Sequence, residues 1–127
     1  MNWLLLASGV LAGFTTVGHF LVGSRHFLLP MEHASFDEIS KEVMHCVFHY
    51  ISAYLILSTV ALLLLGFGID CGMNSIFLVK FIAVQYLLFA VTQLIIAFTS
   101  QIDRAVFKLF QWAFFVLIAV VAWLGVS

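Results

Sequence analysis

All five histidines of this chain fall between residues 19 and 49: His19, His26, His33, His45 and His49. Four of the six acidic residues, Glu32, Asp37, Glu38 and Glu42, share that stretch, as does Cys46. Imidazole, carboxylate and thiolate are the donors that zinc, copper and haem iron take from proteins. His45-Cys46-x2-His49 offers nitrogen and sulfur on successive turns of a helix. His19 and His49, on different helices, suit the two axial positions of a haem. The expected metal ligands are therefore His19, His45, His49 and Glu42. The expected cofactor-binding residues are His19, His45, His49 and Arg25, with a transition metal or haem as the cofactor.

Other chemistries use the same residues. Histidine changes charge near neutral pH, and Glu42 beside it extends a proton relay. No acid lies in the middle of an apolar run, however, so no more than a half-channel can be drawn. Cys46, with His49 three residues on, offers a nucleophile or redox thiol. The simplest alternative is that the histidines hydrogen-bond neighbouring helices and Cys46 is a small apolar packing residue. No catalytic set stands out.

These residues must be positioned by helices in a lipid solvent. The 127 residues are 65% hydrophobic and 9% charged, too apolar for a small soluble domain. Four runs approach the ~20 apolar residues of a spanning helix: about 3–22, 43–65, 76–98 and 109–126. Backbone polar groups in hydrocarbon must be satisfied within the segment, which dictates helices. The expected fold is all-α: a single integral membrane domain over 1–127, a four-transmembrane-helix bundle of up-down topology. No Lys or Arg precedes Arg25 and no Ala-x-Ala site follows the first run, so that run reads as a retained span. A net charge of -1 argues against a nucleic-acid partner. The expected partners are membrane lipid and a second copy or larger membrane complex.

The polar loop is placed at 23–42, with Pro30 expected to end the first helix. Ser35-Phe36-Asp37-Glu38 fits a capping box that starts the second helix near Phe36. Gly66, Gly68 and Gly72 supply the next turn, Asn74 or Ser75 caps the third helix, and Ser100 to Asp103 gives a weaker start signal for the fourth. The two cysteines do not form a disulfide framework, because Cys46 and Cys71 are separated by roughly 37 Å of helical rise.

At about 100° per residue, Glu38, Glu42, His45 and His49 share a sector of roughly 60°. Ser8, Thr15, His19 and His26 form a stripe on the first helix, where Gly9, Ala12, Gly13 and Thr16 permit close approach. The two stripes are expected to enclose a pocket near the cytoplasmic side, with Gln85, Thr92 and Thr99 as a third wall. Arg25, Lys41, Arg104 and Lys108 flank the first and third loops, against Lys80 alone on the other side. The positive-inside rule places those loops in the cytoplasm and both termini outside, with Trp3 and Trp123 at the outer interface and Trp112 at the inner one.

Gly18-His19-x3-Gly23-Ser24-Arg25-x2-Leu28-x-Pro30, followed by Val47-Phe48-His49, resembles a group of small uncharacterised four-helix bacterial membrane proteins. Their pattern runs His-x3-Gly-Glu-Arg-x2-Leu-x-Pro and then Trp-His. Ser24 and Phe48 stand here where that group has Glu and Trp, which removes one carboxylate. The resemblance covers the first two helices, implies a bacterial inner membrane and singles out His19, Gly23, Arg25, Pro30 and His49. The expected function is a small membrane binding or accessory protein holding a metal ion, haem or polar small molecule between its first two helices. A structural or assembly subunit of a larger complex, and a proton-handling or thiol-dependent enzyme, are the alternatives.

Overall fold

The computed structural model describes every residue except Cys71, so the expectation about that thiol lies outside the described residues. The described chain is all-helical: α1 (Trp3–His33), α2 (Glu38–Gly66), α3 (Ser75–Thr99), the single turn α4 (Ala105–Lys108) and α5 (Gln111–Leu124). Three helices, α1, α2 and α3, are long and apolar enough to cross a membrane. They have 31, 29 and 25 residues, or about 46, 44 and 37 Å of rise against a hydrocarbon core of about 30 Å. Helix α5 has 14 residues, a shorter apolar segment than the expected run 109–126.

The polar loop expected at 23–42 is mostly helix. Only residues 34–37 separate α1 from α2, and α1 runs straight through Pro30. The reason lies just before the proline, where His19–Leu28 is wound as a π-helix, its wider turn illustrated by the bond from Leu29 N–H to Ser24 O. Pro30 then stands in the first turn of the α-helical end, Leu29–His33, where a missing N–H is tolerated. The start of α2 also differs from the capping-box expectation. Asp37, not Ser35, is the N-cap, accepting from Ser40 N at 2.9 Å, and Glu38 pairs with Lys41 at 3.2 Å. An Asp carboxylate carries the charge that a helix N-terminus favours, so it displaces a serine two residues earlier. Asn74 caps α3 as expected, accepting from Phe77 N at 3.0 Å.

Glycines let the helices touch. A Cβ on Gly9 would come within 2.8 Å of Leu63, and one on Gly66 within 2.8 Å of Leu6. Asn2 N donates to Gly66 O, Ser8 Oγ to Ile118 O, and Thr16 meets Thr59, so α1 runs antiparallel to α2 and to α5. Helix α3 packs antiparallel to α5, with Tyr86 and Phe89 near Phe115 and Lys80 over Trp123. Tyr86 also closes the gap to α2, its hydroxyl 2.7 Å from Ser58 Oγ. The outer surface stays apolar. Only 22 to 28% of the most hydropathic window in each long helix is buried inside the molecule. Trp3, Phe14, Leu57, Phe81 and Phe98 are all more than half exposed. Patches of that extent require an apolar surrounding.

Candidate functional site

His19 opens the π-helical stretch, one residue past the midpoint of α1. Its ring stacks on Phe48 of α2 with centroids 4.1 Å apart, an approach that Gly23 permits, since a Cβ there would meet the Phe48 ring at 3.3 Å. His19 Nε2 lies 2.9 Å from Ser52 Oγ and 3.3 Å from Phe48 O. Ser52 donates its own proton to Phe48 O at 3.0 Å. Both neighbours of Nε2 are therefore acceptors, so Nε2 carries the proton and Nδ1 is left as a lone-pair acceptor. No hydrogen bond from the described residues reaches that Nδ1.

His19 also forms part of the wall of a cleft of about 450 Å³ between α1 and α5, with Leu55 behind it. Four residues of the π-helical stretch, His19, Val22, Gly23 and Phe27, line it from one side. Phe110, Phe114 and Phe115 line it from the other. The polar lining is confined to Thr15, His19 and Gln111. Thr15 spends its proton on Leu11 O, and Gln111 Oε1 accepts from Gln93 Nε2 at 2.7 Å. Gln93 Oε1 is buried with no hydrogen-bond partner among the described residues. Phe14, Phe27, Phe110 and Phe114 remain exposed, so the cleft opens sideways rather than toward the helix ends. Pi-helical turns concentrate at functional sites, and this one shapes the cleft wall.

The sequence-predicted ligand set does not assemble. Among the described residues, no three His, Cys, Asp or Glu side chains converge on a metal-sized position. Phe48 packs against both His19 and His49, stacked on one and edge-on to the other, and His49 turns to His45 instead. Glu42 is exposed and, with Cys46, lines only a groove along α2 itself. The histidine cluster likewise divides. His26 and His33 each bond a carbonyl of their own helix, at Val22 and Leu29. Arg25 is exposed and makes no ion pair with Glu42. Among the described residues, no hydrogen bond joins Cys46 to His49, the contact through which an imidazole would activate the thiol.

The expected third wall is also different. Thr99 bonds its own helix at Ile95 O, and Thr92 is exposed. Besides Tyr86, α3 turns Gln93 inward, to meet Gln111 of α5. The two amides share one hydrogen bond between facing helices, whereas a single hydroxyl bonds the carbonyl of its own helix. Gln111 and the cleft it lines escaped the sequence reading, which placed the pocket between α1 and α2. The available signal was the pair of glutamines within otherwise apolar runs.

The chain has no significant match to any protein-family model, curated protein or solved structure. Function must be argued from the site alone.

Proposed function

We propose that the chain is a small integral membrane binding protein whose cleft between α1 and α5 holds an apolar molecule bearing a hydroxyl head. The supporting observation is the state of His19. Its Nε2 proton is committed to Ser52 and Phe48, which leaves Nδ1 as an acceptor on a residue of a largely apolar wall. Acceptors without donors select a ligand that donates, and phenols, quinols and long-chain alcohols all do so. A cleft of about 450 Å³ falls within the usual range for small-molecule pockets. Its sideways opening suits entry from the lipid phase.

In this reading α4 and α5 together provide the fourth crossing and complete an up-down bundle. The end of the molecule that joins α1 to α2 and α3 to α4 carries Arg25, Lys41, Arg104 and Lys108, and so faces the cytoplasm. Both termini lie outside. The resemblance of the His19 to Pro30 pattern to small bacterial proteins points to the inner membrane of a bacterium.

The test is saturation binding of a radiolabelled dialkylphenol and of its methyl ether to the protein in nanodiscs, with empty nanodiscs subtracted. One saturable site per chain is expected, with the ether bound about tenfold more weakly because it cannot donate. Gly18 lines the cleft and a Cβ on it would meet nothing within 4 Å, so Gly18→Leu fills the space and should abolish binding. Non-saturable uptake, or undiminished binding by Gly18→Leu, would overturn the reading.

A further inference from the structure

His45 and His49 are one helical turn apart on α2, and their Nε2 atoms face each other at 3.1 Å. Glu32, from the last turn of α1, brings Oε1 to 3.6 Å from His45 Nδ1. That carboxylate favours a proton on Nδ1, which leaves Nε2 of His45 as a lone pair aimed at the second imidazole. The same tautomer, with a carboxylate behind the ring, orients metal-bound histidines. Metal–nitrogen bonds of about 2.1 Å place two donors about 3.0 Å apart at a right angle and about 3.4 Å apart at the tetrahedral angle. The observed 3.1 Å lies within that interval. His49 is exposed and His45 half-exposed, so further coordination positions remain open to water.

We infer that His45 and His49 form a two-nitrogen chelate for a divalent transition-metal ion, with Glu32 as the outer partner of His45. The bound ion fastens the end of α1 to α2 across residues 34–37. It differs from the four-residue set expected from sequence in omitting His19 and Glu42 and in using Glu32. It does not depend on the cleft, because none of its three residues lines that space.

Zinc affinity is measured on the purified full chain by competition with a chromogenic chelator, and copper(II) coordination by electron paramagnetic resonance. One zinc per chain and hyperfine coupling to two nitrogens are expected. His45→Ala and His49→Ala should each weaken zinc binding by at least about tenfold, and Glu32→Gln by about tenfold. His26→Ala and His33→Ala, whose rings bond their own helix, should bind zinc as the parent does. Because the rings of the pair are partly exposed, the variants should fold, which thermal unfolding verifies. Absence of zinc uptake by the parent chain, or unchanged affinity in both His45→Ala and His49→Ala, overturns the inference and leaves a shared proton as the meaning of the pair.

Discussion

His19 Nε2 lies 2.9 Å from Ser52 Oγ, a contact that joins the π-helical stretch of α1 to the buried face of α2. It does more than hold two helices together. Because Ser52 donates onward to Phe48 O, the serine oxygen is free to accept and the histidine is fixed as a donor at Nε2. The ring's acceptor is thereby left on the residue that lines the cleft. A contact outside the cleft thus decides what kind of head group the cleft can take.

Replacing Ser52 by alanine should therefore do two things. It removes the serine's bonds to His19 Nε2 and to Phe48 O, of which only the first joins two helices, with an expected loss of stability of about 1 kcal/mol, within the range of interhelical bonds in membranes. It also loosens the preference for the Nε2 tautomer, so the ratio of phenol to methyl-ether affinity should fall. Thermal unfolding in detergent checks the first effect. Nitrogen-15 chemical shifts of the His19 ring check the second directly, since protonated and lone-pair nitrogens are well separated.

The glycines separate packing from openness. A Cβ on Gly66 would lie 2.8 Å from both the backbone nitrogen and the side chain of Leu6. Gly66→Ala should thus cost about 1–3 kcal/mol, since backbone cannot step aside cheaply. A Cβ on Gly18 meets nothing within 4 Å, and Gly18 has ordinary helical dihedrals, φ −59° and ψ −40°. Gly18→Ala should instead stabilise by about 0.5–1 kcal/mol through reduced freedom of the unfolded chain. Opposite shifts in unfolding midpoint are the expected result.

Much of the architecture was readable in the sequence, for physical reasons that also mark the limit. Long apolar runs report helices because hydrocarbon offers the backbone no other partner. Gly9, Ala12, Gly13 and Thr16 identified the face of α1 that meets α2, since only small residues allow close approach. The passage through Pro30 was not readable, because a proline is a stop signal only for an α-helical ladder. The π-turns before it also advance fewer degrees per residue, so the stripe drawn from Ser8 through His26 loses phase after His19. His26 ends up exposed, while Ser8 is buried against Ile118 O. The cleft depends on residues about ninety positions apart, His19 and Gln111, and periodicity within one helix says nothing about which neighbour its polar face meets.

The start of α2 gives a dependence on pH. Hydrogen bonds from the Ser40 backbone and hydroxyl hold the Asp37 carboxyl below the ordinary carboxylate range. A carboxylate whose folded value is depressed adds stability that is fully present above its unfolded value. That stability is lost as pH falls through the folded one. The parent chain should therefore unfold at higher temperature than Asp37→Ala near neutrality, and the gap should close on acidification below the usual range. An unchanging gap between neutral and strongly acidic solution would show that Asp37 does not cap α2.

The amide pair on α3 and α5 offers the last test. Gln93 Nε2 donates to Gln111 Oε1 at 2.7 Å, while Gln93 Oε1 is buried without a partner among the described residues. Removing one amide strands the other in an apolar bundle, whereas removing both strands nothing. Gln93→Leu and Gln111→Leu should each destabilise the fold by about 1 kcal/mol. The double variant should be less destabilised than the two losses added, and close to the parent if leucines fill the space. A thermal double-mutant cycle in one detergent measures the coupling.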